Sequence, residues 1–260
     1  MFEARDISLV LGRRQILFDV DFTAAAGQVT CIVGPNGSGK TTLLKALTGE
    51  IGYSGRVSLD GQALDAVPTW WLAARRAVLP QSTRLAFPFN VFEVVRLGLL
   101  SAAEPRPSLV AQALARVGLQ GFEARYYHEL SGGEQQRVQL ARVLVQVWEP
   151  VSQDGPRWLF LDEPVSSLDL GHQLEVMDVA RDFADRGGGV IAVMHDLNLT
   201  AMYADSIALM MDGRCAIQGS AAAVLTDARL SEAYGCTVRV GAVPQSAVPF
   251  VLPQAAARFG

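Results

Sequence analysis

The feature that most constrains this chain is the run Gly34-Pro35-Asn36-Gly37-Ser38-Gly39-Lys40-Thr41, with Thr42 following it. The run fits GxxxxGK[ST], in which glycines let successive backbone N–H groups turn inward on phosphate oxygens. Its flanks agree with that reading. Val29–Val33 is a short β-rich run, and TTLLKALTG carries apolar residues at helical spacing and is closed by Gly49. In this strand, loop and helix order Lys40 is expected to reach the β and γ phosphates and Thr41 to place its hydroxyl on Mg²⁺. A glycine-rich turn with an incidental lysine is the competing reading, and the flanks weigh against it. The loop says nucleotide but does not choose a reaction.

Residues 2–10 and 15–22 read as two strands joined by a turn at 12–14, and residues 56–59 before Asp60-Gly61 as another. From about residue 87 the character changes, and 91–100, 109–117 and 133–147 carry helical periodicity, broken by EPRPS at 104–108. Strands are expected again at 158–161 and 190–194, around a helix at 171–186. Strands alternating with helices imply an α/β fold with a mostly parallel sheet. The expected organisation is a single domain over residues 1–260, with a helical subdomain at about 84–150 inserted in its core. The tail beyond residue 213 gives no clear role.

Two further segments carry chemistry. Leu159-Phe160-Leu161-Asp162-Glu163-Pro164 sets adjacent carboxylates at the end of an apolar strand, where burial is costly unless a metal or a proton-transfer task compensates. Asp162 suits Mg²⁺, and Glu163 is the candidate base for an attacking water. The bland alternative is a strand ending in a charged turn. Leu130-Ser131-Gly132-Gly133-Glu134-Gln135-Gln136-Arg137 opens a long helix with open backbone donors, as a second phosphate site or simply as a helix cap.

Taken together, GPNGSGKT, LSGGEQQR and LFLDEP in this order and spacing resemble the ATP-binding cassette (ABC) family, from about residue 2 to residue 240. The resemblance implies a P-loop NTPase (RecA-like) core with an N-terminal antiparallel β subdomain and an inserted α-helical subdomain, acting as an ATPase with ATP and Mg²⁺. It implies that Gln81 in VLPQ touches Mg²⁺ and the attacking water, and that His195 in VMHDLN contacts the γ-phosphate. SSLD at 166–169 is similar to the segment that crosses to a partner subunit and carries Asp169. The resemblance also implies a head-to-tail homodimer, in which Ser131, Gly132 and Gly133 of one copy complete the nucleotide held by the phosphate loop of the other. His128 and His172 have no such placement. One departure stands out: the family's adenine-stacking aromatic is absent from SLVLGRR, where Leu11 occupies its place, so the adenine contact is left open.

The chain has no run of about 20 uncharged apolar residues, since Glu93 and Arg96 interrupt the longest one, so its transport path must come from another polypeptide. Its start does not follow the order of a secretory signal, and Cys31, Cys215 and Cys236 are scattered with no metal or CxxC spacing. With 22 Lys+Arg against 26 Asp+Glu, the net charge of −4 argues against a nucleic-acid surface, and no nucleic-acid partner is expected. SSLDLGHQ, MHDLNLTAMYAD and FPFNVFEVVRLG resemble ATPases of bacterial importers for haem, iron chelates and cobalamin. The long connection QVWEPVSQDGPRW resembles the haemin branch, or is an ordinary surface insertion. The resemblance therefore implies a peripheral protein on the cytoplasmic face of the inner membrane, an integral membrane permease dimer as partner and, indirectly, a periplasmic haem-binding protein. Ferric siderophore and cobalamin stay open as cargo, and a soluble non-transport cassette ATPase is the remote alternative. Phe87, Phe89 and Phe92 are expected either to anchor a permease helix or to belong to the subdomain core. Haem itself finds no CxxCH segment here.

Overall fold

The computed structural model describes residues 1–83, 85, 87–102, 106–244 and 249–256. The N-terminal hairpin pairs β1 (Phe2–Leu11) with β2 (Arg14–Ala24), and β1 also pairs antiparallel with β4 (Ser54–Leu59), which pairs with the short β5 (Gln62–Ala63). Between them in sequence lie β3 (Val29–Val33) and α1 (Lys40–Leu47), on either side of the phosphate loop. The chain continues through α2 (Thr69–Arg75) into β6 (Arg76–Leu79). The helices α3 (Val91–Leu97), α4 (Leu109–Arg116) and α5 (Gly132–Gln146) follow and pack on one another. The expected break at 104–108 lies partly outside the described residues.

The residues between α5 and the next core strand form a small hairpin, β7 (Val151–Ser152) and β8 (Gly155–Pro156), rather than an open loop. It is pinned at both ends. Arg157 donates to the Glu149 carbonyl at 3.0 Å, and the buried Arg75 donates to Asp60 at 2.6 Å and to the Pro156 carbonyl. The core resumes with β9 (Trp158–Asp162), α6 (Leu170–Asp185), β10 (Gly189–Val193) and α7 (Leu197–Tyr203). The antiparallel pair β11 (Ser206–Met211) and β12 (Arg214–Gly219), then α8 (Ala221–Val224) and α9 (Asp227–Tyr234), complete it.

The six-stranded sheet runs β12-β11-β3-β10-β9-β6, parallel except for β12. Strands β3, β9 and β10 are buried at every position, as expected of parallel strands covered on both faces. Their period of two divides two cores. Cys31, Leu159, Leu161, Val190 and Ala192 face the cluster built with α3, α4, α5 and α6, while Ile32, Trp158, Phe160, Ile191 and Val193 face the cluster built with α1 and the antiparallel sheet. Phe2 closes the second interface, its ring edge-on to both Trp158 and Phe160 at 5.3 Å. The strand ends β3, β9 and β10, which carry the phosphate loop, the carboxylate pair and His195, therefore lie side by side at one edge of the sheet. This is where ligands bind in open α/β sheets. Among the described residues no helix is long and apolar enough to cross a membrane.

Candidate active site

At the end of β3 the backbone enters a conformation open to glycine alone. Gly34 has φ +145°, and a Cβ there would overlap the carbonyl oxygen of Met210. Gly39, at φ +96°, turns the chain into α1 so that the first N–H groups of the helix point into the loop. Lys40 is buried, and its ammonium donates to the carbonyls of Gly34 at 2.8 Å and Pro35 at 2.9 Å. Burial pulls its pKa below the ordinary lysine value, and the charges of Glu163 and then Asp162 pull it part of the way back. Ser38 Oγ is buried with no hydrogen-bond partner among the described residues, a donor turned into the cradle.

The carboxylate pair stands across this loop. Thr41 Oγ1 donates to Asp162 Oδ1 at 3.1 Å, joining residues that are 121 apart in sequence. Asp162 is 4% exposed, and burial pushes its carboxyl above the ordinary aspartate range against the opposing hydrogen bond from Thr41. A carboxyl whose pKa rises on folding favours the fold below its ordinary pKa, and that contribution is lost as pH climbs through the raised value. Asp162→Asn should therefore raise the Tm of the ligand-free protein at pH 7.5 by about 2 °C, while removing Mg²⁺-dependent ATP hydrolysis. A lower Tm together with retained hydrolysis would contradict both halves. Thr41 and Asp162 supply hard oxygen donors, which fit Mg²⁺ with phosphate oxygens completing the set, whereas Gln81 meets Glu163 and lines a recess apart from the Lys40 cavity. No group of three or more His, Cys, Asp or Glu side chains fit for a metal occurs among the described residues.

Glu163 adopts φ +52°, unusual for a residue with a side chain, and its N–H donates to the Val193 carbonyl at 3.1 Å. Its two carboxylate oxygens are held separately. Gln81 Nε2 donates to Oε2 at 3.0 Å, and His195 Nε2 lies 2.6 Å from Oε1. A third contact was not legible in the sequence: Gln136 of α5 donates to the Glu163 carbonyl at 3.0 Å, tying the helix behind LSGG to the carboxylate loop. Only its place in the run SGGEQQ could have drawn attention to it.

A cavity of about 600 Å³ runs along this edge and is lined by Asn36, Gly37, Gly39, Lys40, Thr41, Thr42, Glu163 and His195. Arg14, Gln15, Ile16 and Phe18 of β2, with Asp212 and Gly213, form its other wall. No motif in the sequence marks that wall. Leu11 does not line the cavity and is 50% exposed.

Ser131, Gly132, Gly133 and Asp169 are absent from this cavity's lining. Ser131 caps α5 in a reciprocal pair with Glu134, and Gly132 lines a separate recess with Gln81 and Ser167. Asp169 caps α6 by accepting from the His172 N–H at 3.0 Å, and its other oxygen meets His172 Nδ1 at 2.8 Å. His172, which has no placement in the sequence motifs, is thus paired with Asp169. Of the three phenylalanines, Phe87 is 70% exposed, whereas Phe89 and Phe92 pack against the core cluster.

A family model described as "ABC transporter" matches residues 17–166. The chain is 61% identical over 261 residues to "Hemin import ATP-binding protein HmuV" of Jannaschia sp. (strain CCS1), covering 100% of this chain and 97% of that protein. It is 61% identical over 254 residues to the protein of the same name from Ruegeria sp. (strain TM1040), covering 97% and 98%. Among solved structures it resembles "Structure of ATP binding subunit of ABC transporter", with a TM-score of 0.76 at 22% identity over 93% of this chain and 95% of that one, a likeness of fold.

Proposed function

Because the chain belongs to the ABC transporter family, whose ATPase subunits hydrolyse ATP, we propose that it is the motor subunit of a bacterial importer that moves haem through a separate permease. The observation that carries the hydrolytic part is Glu163, fixed by Gln81 and His195 at the mouth of the phosphate-loop cavity. The haem cargo rests on the full-length similarity to proteins named for hemin import.

In this reading the backbone of Gly34, Pro35, Asn36, Gly37, Ser38 and Gly39 surrounds the β-phosphate, and Lys40 spans the β and γ groups. Thr42 supports the α-phosphate from the first turn of α1. Thr41, Asp162 and Gln81 would hold Mg²⁺. When bound, that ion neutralises charge on the transferring phosphoryl group. Glu163 accepts the proton of the attacking water, His195 orients Glu163 and meets the γ-phosphate, and Gln81 fixes the second carboxylate oxygen. Ser131, Gly132, Gly133 and Asp169 serve a nucleotide on a second copy of this chain, a reading that rests on the family to which the chain belongs. A head-to-tail homodimer then holds two composite sites, and ATP acts as a ligand that stabilises the closed pair.

The helical subdomain that carries α3, α4 and α5 meets the permease dimer, with Phe87 the exposed one of Phe87, Phe89 and Phe92. The protein sits peripherally on the cytoplasmic face of the inner membrane, and haem is read by the permease and a periplasmic binding protein rather than by this chain. The test is ATPase activity of the chain assembled with its own permease. Haem-loaded binding protein should stimulate turnover several-fold, while ferric siderophore and cobalamin should not. Stimulation by either of those instead would overturn the cargo and leave the motor in place.

A further inference from the structure

We propose that the nucleotide base stacks on the guanidinium of Arg14, which takes over the task of the aromatic residue missing at position 11. The proposal rests on the nucleotide reading of the cavity and adds the residue that recognises the base.

The β1–β2 register carries it. Leu11 and Arg14 are directly paired across the hairpin, so Arg14 stands beside the position where an aromatic would project. Only one of the pair reaches the cavity: Arg14 lines it, and Leu11 does not. The wall continues along β2 with Ile16 and Phe18, two residues apart and on one face, giving an apolar surface next to the guanidinium. Lys40 and the phosphate loop line the same cavity, and that loop abuts β2 at Gly39 beside Ile16 and Leu17, so Arg14, two residues before Ile16 on β2, is available to the part of a nucleotide beyond its phosphates. The guanidinium is uncommitted, since it makes no ion pair or side-chain hydrogen bond with any described residue. A guanidinium is planar and delocalised and stacks on base faces as aromatic rings do. Arg13, its neighbour in the same turn, carries the same charge and does not line the cavity.

The rival role for Arg14 is that of a counter-charge to the phosphates, and the two roles predict opposite rescue patterns. Under stacking, Arg14→Ala should raise the KM for ATP about tenfold, with kcat at saturating ATP kept within about twofold. Arg14→Tyr, a plane without charge, should restore the wild-type KM, and Arg14→Lys, a charge without a plane, should not. Binding of inorganic tripolyphosphate, which has no base, should be unchanged in Arg14→Ala. Arg13→Ala is the charge control and should keep the wild-type KM. Rescue by Lys but not Tyr, or weaker tripolyphosphate binding in Arg14→Ala, would assign Arg14 to the phosphates and overturn the proposal. So would wild-type affinity in Arg14→Ala. Failure of the wild-type chain itself to bind ATP would overturn the nucleotide reading of the cavity, and this proposal with it.

Discussion

Glu163→Gln should lower ATP hydrolysis by about 10²–10⁴-fold, the usual worth of a positioned general base, while ATP binding persists. The amide keeps the size of the side chain, and its oxygen still accepts from Gln81 Nε2, which lies 3.0 Å from the present carboxylate. The lost property is proton affinity at an oxygen 2.6 Å from His195 Nε2, in a site whose geometry is otherwise retained. With hydrolysis slowed and the phosphate loop intact, the nucleotide remains on the protein, and the ATP-bound chain should elute as a dimer on size exclusion. Hydrolysis in the variant within a few-fold of wild type would remove Glu163 from the role of base. Slow hydrolysis with no dimer would leave the base in place and count against the composite site.

Lys40→Ala acts earlier, on binding itself. The Lys40 ammonium is buried, is held by two loop carbonyls, and faces the charges of Glu163 and Asp162. Removing it takes from the loop the buried cation that meets the β and γ phosphates, while Asp162 keeps its hydrogen bond from Thr41 and the charge of Lys45. For wild type, ATP at 100 times its Kd contributes about 2.7 kcal/mol to stability, a rise in Tm of about 5–10 °C for a chain of this size. Lys40→Ala at the same ATP concentration should show almost none of that rise, and its hydrolysis should fall to background. An undiminished thermal shift in the variant would contradict the assignment of the phosphate loop as the triphosphate site.

The legible parts of this molecule are those encoded locally. Val29–Val33, the glycine loop and α1 follow from β-rich, turn and helical patterns within some twenty residues, and they stand where those patterns put them. The burial of β9 and β10 follows equally from short continuous apolar runs. Long-range pairing is different. Nothing local joins Thr41 to Asp162, or Gln136 to the Glu163 carbonyl, because each bond depends on which strands the sheet places side by side. Gln81 and His195 stand out in the sequence only through resemblance, and their convergence on the two oxygens of Glu163 is a property of the fold. The hairpin at 151–156 could be read only as an insertion, since its order comes from Arg75 and Arg157, far from each other in sequence. The β2 wall was hidden for a related reason. Leu11 drew attention as a missing aromatic, whereas Arg14 becomes interesting only when the register sets it across from Leu11 and into the cavity.

In the proposed function, ATP hydrolysed at this site drives haem across a membrane. It is tested most directly by haem uptake into vesicles that contain the permease dimer and this chain, with ATP on the side of the chain and haem-loaded binding protein on the other. Wild type is expected to give ATP-dependent haem accumulation, and Glu163→Gln none. Accumulation that is the same with the two proteins, or that proceeds without ATP, would contradict it.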